Sequence, residues 1–277
     1  MVRRRLLTAA AASLALPGAL ASGKAWGASA GAGFRVLIVG GGVGGATAAK
    51  YLKMWAPDIE VTVIERNPSF VRHYGSSEHL TGAVTMQDLT VSYDGLRARG
   101  VKIVQAQAKG LDPVKRTVTA QGPDGALVQC GYDALIVSPG VELLYDGIEG
   151  YSEQIAETSI PSGWIAGAQT ALLRRQLLAM PDGGTVVIVA PPNPYRCPPG
   201  PYERSALVTE WLLEHKPKSR VVILDPKNDF VTDETLILGW NHLFGYAPPQ
   251  PYAEKLDKFM VEPSKDCRIE WRREKDG

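Results

Sequence analysis

The sequence is poor in cysteine, in histidine and in net charge. It has three cysteines and four histidines among 277 residues, without metal-ligand spacing, so we expect no metal site. The net charge is +1, and nucleic-acid binding usually needs a basic face, so we expect no nucleic-acid partner. With 45% hydrophobic and 21% charged residues, the composition is that of a globular protein.

The N-terminus is the exception to this composition and predicts an export signal over residues 1–30. Arg3–Arg5 form a positive segment, residues 6–21 are small and apolar, and Ala28–Ala30 offers a cleavage site. The pattern fits a loose twin-arginine signal, which implies a periplasmic protein. A membrane anchor is the alternative, but Pro17 and Gly18 interrupt the short apolar run. We expect no membrane-spanning segment once the signal is removed.

A dinucleotide-binding βαβ unit follows. The apolar run Arg35–Val39 predicts a buried parallel strand, residues 46–54 predict a helix, and Val61–Ile64 predicts a second strand. Between the first strand and the helix, three glycines stand in G-x-G-x-x-G spacing: Gly40, Gly42 and Gly45.

Each glycine in this spacing has a physical task. Gly40 permits the tight turn, Gly42 lets the backbone approach a pyrophosphate, and Gly45 lets the helix pack closely on the strand. The helix N-terminus attracts phosphate. Glu65, 20 residues after Gly45, can accept hydrogen bonds from a ribose, which favours FAD or NAD over NADP. The other candidate contacts here are Val43 and Arg66.

Residues 134–140 favour FAD as the ligand. An apolar strand ends there in Ser138-Pro139-Gly140, similar to the point where the chain leaves the FAD domain in two-dinucleotide flavoproteins. Residues 101–106, 114–120 and 126–130 predict short strands of a β-meander inserted in the Rossmann domain. We include Ser138, Pro139 and Gly140 among the cofactor-binding candidates.

A second βαβ unit lacks the glycine fingerprint. Residues 165–180 and 203–215 predict helices, and Thr185–Ala190 and Arg220–Leu224 predict strands, of which the first is expected to be buried. The loop of residues 191–201 (the proline loop) contains six prolines, which remove N–H donors. We therefore expect no NAD(P)H at this unit.

Five segments resemble the flavoprotein subunit of flavocytochrome c sulfide dehydrogenase. They are GGGVGGATAAKYLK (40–53), YDGLRARG (93–100), YDALIVSPGVELLYDGIEGYSE (132–153), RCPPGPYERSALV (196–208) and HKPKSRVVILD (215–225). The resemblance implies an FAD enzyme that oxidises sulfide or polysulfide beside a redox disulfide and passes electrons to a c-type cytochrome subunit. It implies that Cys197 is half of that disulfide and Glu203 an acid/base group. A thiolate near a helix N-terminus agrees with this role.

The sequence departs from that family at two places. The family attaches FAD through a cysteine, and His73 stands at the matching position, so the expectations are noncovalent binding or, alternatively, a histidyl link. The chain also stops earlier than the family does, from which we expect a C-terminally truncated, marginally stable chain without the second redox cysteine. Cys130 is expected to be structural, and Cys267 does not match the partner position.

The overall expectation is an α/β chain with two incomplete Rossmann-like domains. The first spans residues 34–150 and binds FAD, and the second spans residues 160–277. Three alternatives to a cytochrome-linked dehydrogenase remain open: a sulfide:quinone oxidoreductase, an inactive FAD-binding electron-transfer partner, and a pyridine-nucleotide-dependent disulfide reductase, which the proline loop disfavours.

Overall fold

The structure is a computed structural model that describes residues 33–273. The predicted export signal lies outside the described residues. The described chain divides into two compact units, one of residues 33–70 and 92–141 and one of residues 71–91 and 142–273. The sequence prediction had assigned residues 71–91 to the first range.

The first unit is built on a four-stranded parallel sheet with the order β5-β2-β1-β9. Its strands are β1 (Arg35–Val39), β2 (Glu60–Glu65), β5 (Val101–Gln105) and β9 (Ala134–Val137). Helix α1 (Val43–Trp55) connects β1 to β2 and buries its small residues Gly45 and Ala49. The βαβ unit expected from the sequence is therefore present, and the helix begins three residues earlier than predicted.

An antiparallel meander lies on the other face of this sheet. Its strands are β6 (Gln107–Asp112), β7 (Thr117–Gln121) and β8 (Leu127–Gly131). Leu37 of β1 packs with Val118 and Ala120 of β7, whereas its neighbours Val36 and Ile38 pack with α1. The meander was expected, but two details were wrong. The strand at 101–106 belongs to the parallel sheet, and β6 was missed.

Strands β3 (Ser69–Val71) and β4 (Thr90–Ser92) form a short two-stranded sheet. Each strand lies at a point in the sequence where the chain leaves one unit and enters the other. The helix that follows β4 in the first unit is short and is labelled α4 (Asp94–Arg97).

The second unit has a three-stranded parallel sheet with the order β10-β11-β12. The strands are β10 (Thr185–Val189), β11 (Arg220–Asp225) and β12 (Ile269–Arg273). The helices are α2 (Ser76–Thr81), α3 (Met86–Leu89), α5 (Glu153–Thr158), α6 (Ala168–Ala179), α7 (Gly200–His215), α8 (Asp233–Phe244) and α9 (Tyr252–Leu256). Two 3-10 turns, His73–Gly75 and Asp257–Phe259, complete it.

The core of the second unit is aromatic. Tyr202 of α7 stacks on Phe230 with ring centroids 3.5 Å apart, and Trp240 and Trp271 pack around them. Strand β10 differs from the expectation of a buried strand. Val187 and Val189 are 54% and 63% exposed, whereas Val186 and Ile188 point to the other face of the sheet and are half-buried against the core.

Candidate active site

Two of the three fingerprint glycines in the loop of residues 40–45 (the glycine loop) are required by the fold itself. Gly40 has φ +98°, and a Cβ there would lie 2.0 Å from the carbonyl oxygen of Ser138. A Cβ on Gly45 would lie 1.8 Å from the carbonyl oxygen of Gly40. Backbone atoms cannot move away cheaply, so neither position accepts a side chain.

Gly42 is different, because nothing in the described protein requires it to be glycine. Its φ of −68° and ψ of −167° suit any residue, and the nearest atom to its missing Cβ is Phe70 Cε2 at 3.9 Å. No side chain caps α1, and the first bond of its ladder runs from the N–H of Ala46 to Gly42. The N–H groups at the exposed start of the helix, including that of Val43, can therefore serve an anion that approaches Gly42.

Glu65 lies directly beside the glycine loop. One carboxylate oxygen accepts the Gly41 N–H at 2.7 Å and the other accepts the Asn67 N–H at 2.8 Å. These bonds fix the carboxylate and leave lone pairs that can accept hydroxyl donors such as those of a ribose. The neighbouring Arg66 is exposed and lines a shallow depression of about 200 Å³ with residues of the meander.

The Ser138-Pro139-Gly140 segment packs against the glycine loop. Ser138 donates its N–H to the Val39 carbonyl at 2.8 Å, and its hydroxyl would lie 2.6 Å from a Cβ on Gly44. Pro139 also packs on Gly40, with its Cα 3.2 Å from the missing Cβ. Gly140 has φ +80° and no atom within 4 Å of its missing Cβ. The segment thus shapes the loop through Ser138 and Pro139.

Sequence reasoning missed Tyr93, which stands against the glycine loop. Its ring is buried, and its hydroxyl would lie 2.9 Å from a Cβ on Gly41. Burial, and secondarily the charge of Glu65, raise the pKa of Tyr93 to about 12. Because Tyr93 follows Glu65 by 28 residues, no local motif indicates it.

Cys197 is an exposed, free thiol in the second half of the proline loop. It has φ +54°, an uncommon conformation for a residue with a side chain, and its carbonyl accepts the Gly200 N–H at 2.9 Å. Helix α7 begins at Gly200, earlier than the predicted start at Glu203. Cys197 therefore lies three residues before the helix. Glu203 lies in the first turn, where its carboxylate is exposed.

His73 lies beside the residue that precedes Cys197. Its Nε2 is 3.0 Å from the guanidinium nitrogen Nη2 of Arg196, so the ring accepts a hydrogen bond there. Burial, and then the positive charge of Arg196, lower the pKa of His73. The fold of the second unit therefore brings His73 into contact with Arg196, the residue before Cys197 and 123 residues later in the sequence.

Arg204 is a further residue that the sequence did not indicate. It donates from Nη1 to the Gly163 carbonyl at 2.8 Å and from Nε to the Ser77 hydroxyl at 3.3 Å. Burial lowers the pKa of Arg204, and the negative charge of a Cys197 thiolate opposes this shift. Its partners come from α2 and from the chain before α6, which only the tertiary fold brings together.

Asp225 ends β11, where a nucleotide-binding unit would use an acid to hold a ribose. Here its side chain is fully buried and accepts hydrogen bonds from the Tyr202 hydroxyl at 2.5 Å and the Trp271 indole at 2.9 Å. Lys227 donates its ammonium at 2.6 Å and its N–H at 2.9 Å. All four donors come from the protein, so this acid is engaged in the core and not offered to a ligand.

The other two cysteines lie apart from this arrangement. Burial raises the pKa of both Cys130 on β8 and Cys267 before β12. None of the three cysteines forms a disulfide. Within residues 33–273 there is no cluster of three or more histidine, cysteine or acidic side chains that could hold a metal. No helix in that same range is both long and apolar enough to cross a membrane.

Comparison with known proteins gives two family matches. Residues 34–164 match the pyridine nucleotide-disulphide oxidoreductase model, and residues 170–273 match the central part of the sulfide dehydrogenase (flavocytochrome c) flavoprotein chain. The sulfide:quinone oxidoreductase structure from Aquifex aeolicus superimposes with a TM-score of 0.61 at 22% identity, over 87% of this chain and 51% of that one. The NAD-dependent persulfide reductase from A. fulgidus gives 0.60 at 15% identity, over 86% and 40%.

Two curated proteins are also similar in sequence to parts of this chain. The sulfide-quinone reductase of Aquifex aeolicus is 31% identical over 159 residues, which are 57% of this chain and 35% of the relative. The sulfide dehydrogenase (flavocytochrome c) flavoprotein chain of Chlorobaculum thiosulfatiphilum is 54% identical over 37 residues, which are 13% of this chain and 77% of that sequence. The chain spans about a third of the length of the first of these relatives.

The fold and the matched models define a flavoprotein of the pyridine nucleotide-disulphide oxidoreductase class, with Rossmann-like parallel sheets as expected. Within that class, the chain belongs to the family of the flavocytochrome c sulfide dehydrogenase flavoprotein chain. The resemblance seen in the sequence is thereby confirmed.

Proposed function

We propose that this chain is the flavoprotein part of an FAD-dependent oxidoreductase that oxidises sulfide or polysulfide. The observation that carries the proposal is Cys197, an exposed free thiol just before the N-terminus of α7, in a chain of the sulfide dehydrogenase flavoprotein family. Thiolates are the reactive form of cysteine, and a helix N-terminus stabilises them.

In this proposal the glycine loop holds the pyrophosphate of FAD. Gly42 leaves room for the phosphates, the uncapped N–H groups from Val43 onward bind them, and Glu65 accepts hydrogen bonds from the ribose. When bound, FAD supplies a two-electron acceptor. Arg66, His73 and Gly140 remain candidate contacts of the cofactor.

The chemistry assigned to the chain's own residues is sulfur chemistry at Cys197. Hydrosulfide gives up two electrons and one proton as its sulfur becomes zero-valent. The cysteine would bind sulfur through its thiolate, and Arg196 and Arg204 give its surroundings positive charge that favours anionic substrates. Glu203, one turn into α7, is the candidate group for the proton.

Asp225 and the proline loop support an electron route without NAD(P)H. The acid is engaged by Tyr202, Trp271 and Lys227, and the loop lacks the glycines that cradle a pyrophosphate. This disfavours the alternative of a pyridine-nucleotide-dependent disulfide reductase.

For the electron acceptor we propose a c-type cytochrome subunit, because the family model and one relative are named for flavocytochrome c. A quinone is the second candidate, favoured by the likeness to sulfide-quinone reductase. The protein is mixed anaerobically with sulfide and with either a c-type cytochrome or a soluble quinone. Reduction of the cytochrome but not of the quinone supports the first acceptor. The reverse result supports the second.

A second function in a different class is an inactive FAD-binding electron-transfer partner. The observation that favours it is His73, which stands where the family has its flavin-linked cysteine and is held by Arg196. Acid precipitation tests attachment, because yellow colour in the pellet means a covalent link and colour in the supernatant refutes a histidyl link. A protein that keeps FAD but is not bleached by sulfide would favour the inactive reading.

We also propose that the protein is periplasmic, exported by the twin-arginine route. The proposal is supported by the sequence of residues 1–30 alone. Cell fractionation with mass determination of the mature N-terminus tests it. Cleavage near Ala30 and loss of export when Arg3–Arg5 are replaced by lysine support it, and an uncleaved cytoplasmic protein contradicts it.

A further inference from the structure

Tyr93 directly precedes α4 and is held in place by that helix. Its carbonyl accepts the N–H groups of Leu96 and Arg97, both at 3.0 Å, and Leu96 packs against the core between α1 and the parallel sheet. The side chain of Tyr93 is enclosed, because the residue is only 4% exposed. Contacts within the first unit therefore fix the position of the Tyr93 ring.

The hydroxyl of Tyr93 points at the glycine loop and makes no hydrogen bond within residues 33–273. In the same part of the chain, Trp240 Nε1 is the one side-chain nitrogen or oxygen that is both fully enclosed and without a partner, so the Tyr93 oxygen can be reached from outside. The hydroxyl of a buried tyrosine normally finds a hydrogen-bond partner. Its lack of one here indicates a ligand at the glycine loop.

Glu65 stands at the same point of the glycine loop as the Tyr93 hydroxyl. A Cβ on Gly41 would lie 2.9 Å from that hydroxyl and 3.0 and 3.1 Å from Cβ and Cγ of Glu65. The carboxylate of Glu65 accepts the Gly41 N–H at 2.7 Å. The absence of a side chain at Gly41 therefore leaves room in which a hydroxyl and a carboxylate from two distant parts of the sequence come close together.

The two groups differ in what they offer a ligand. The pKa of Tyr93 is raised to about 12 by burial and secondarily by the charge of Glu65, so the hydroxyl keeps a proton that it can donate. The carboxylate of Glu65 only accepts. A vicinal diol matches this pair, because its hydroxyls donate to the carboxylate while one of its oxygens accepts from the tyrosine. A phosphate does not match it, because the carboxylate repels a second negative charge.

We propose that Tyr93 is a cofactor-binding residue that donates a hydrogen bond to a ribose hydroxyl in the ADP half of FAD, next to the ribose contact of Glu65. The inference rests on the proposed function, because it deepens the assignment of FAD to the glycine loop. It adds a donor from the start of α4, 28 residues after Glu65 and outside the βαβ unit that carries the glycine spacing.

The test is titration calorimetry of the full chain, produced without flavin in a riboflavin-starved host. The ligands are FAD, ADP and the two analogues of ADP that each lack one ribose hydroxyl. Tyr93→Phe keeps the ring and removes only the hydroxyl. Tyr132→Phe is the matched control, because Tyr132 is also a buried tyrosine of the first unit. It precedes β9, which runs parallel to β1, and so lies at the opposite end of the strands from the glycine loop.

We expect Y93F to bind FAD and ADP about threefold to tenfold more weakly than the parent does, as for the loss of one neutral hydrogen bond. One of the two deoxy analogues should bind the parent and Y93F equally, because the analogue and the variant each lack the same hydrogen bond. Y132F should match the parent with every ligand. The urea midpoint of flavin-free Y93F should equal that of the parent, since the hydroxyl has no partner within residues 33–273.

Equal affinities of the parent and Y93F for FAD and ADP would overturn the inference and leave the proposed cofactor intact. The same loss in Y93F for ADP and for both deoxy analogues would also overturn it, because the hydroxyl would then bind a group other than the ribose diol. A Y93F variant that does not fold would contradict it as well, since the hydroxyl would then serve the protein. A parent that binds neither FAD nor ADP refutes the proposed cofactor and this inference together. The assay needs no sulfide, so a failed sulfide reaction with the expected Y93F result counts against the proposed function alone.

Discussion

Replacing Gly42 and Gly45 separately by alanine distinguishes a glycine required by a ligand from one required by the fold. At Gly45 the new Cβ would lie 1.8 Å from the Gly40 carbonyl oxygen and 3.1 Å from Ile38 Cγ2. Helix α1 must then move away from the strand, which costs about 1–3 kcal/mol for overpacking. We expect a Tm lowered by about 2–4 °C per kcal/mol, as is typical for a chain of this size.

At Gly42 the same substitution meets only Phe70 Cε2 at 3.9 Å, and the backbone angles are open to alanine. Alanine lowers the conformational entropy of the unfolded chain, which stabilises the fold, but it is a poorer N-cap than glycine, which destabilises helix α1. The two effects oppose each other, so the free energy of unfolding should change by less than about 1 kcal/mol. The flavin, in contrast, should be lost, because the methyl group stands where the pyrophosphate approaches. A weakening of at least tenfold corresponds to about 1.4 kcal/mol.

The assay pairs urea unfolding with flavin content after desalting, and Gly110→Ala on β6 is the control because nothing lies within 4 Å of its missing Cβ. G42A should fold like the control but lack flavin. A G42A variant that binds FAD as tightly as the parent, or that is destabilised as much as G45A, would refute the assignment of Gly42 to the ligand.

Three further predictions concern the second unit. Burial and Arg196 lower the pKa of His73, so the unfolded chain binds a proton more readily and stability falls as pH drops below the ordinary value of 6.5. Urea midpoints across that range should show the loss, and a His73→Gln variant with the same slope would contradict it. Asp225→Asn leaves the buried Lys227 ammonium without a counter-charge and should cost about 3–5 kcal/mol in urea unfolding. A near-parental midpoint would show that the network is not needed. Cys197→Ser should retain flavin but not react with sulfide, and sulfide bleaching equal to that of Cys130→Ser would exclude the assigned role.

The sequence was most informative where the signal is local. The glycine spacing, the strand before it and Glu65 lie within one βαβ unit, so their arrangement follows from chain geometry alone. Cys197 was identified through its resemblance to a family, and its position before a helix agreed. The start of that helix was placed three residues too late, at Glu203 and not at Gly200, because Pro201 and Gly200 gave no apolar periodicity.

Long-range contacts could not be predicted in this way. Ser77, Gly163 and Arg204 meet only after α2 packs on α7. Asp225 at the end of β11 is engaged by an indole 46 residues later.

Two errors in the predicted strands also arose because local sequence does not encode strand pairing. The strand at Val101–Gln105 pairs with β2, a tertiary fact that its own sequence does not encode. Strand β6, with a lysine and a glycine in the order QAKGLD, has no alternating apolar pattern and was missed.

The central claim is that sulfur chemistry at Cys197 delivers electrons to a flavin held by this chain. Anaerobic titration of the purified protein with sulfide, followed by flavin absorbance, tests it directly, with Cys130→Ser as the matched control. The account predicts bleaching in the parent and in C130S and none in Cys197→Ser, with equal flavin content in all three. Purification without FAD, or equal bleaching of the Cys197→Ser variant, would contradict it.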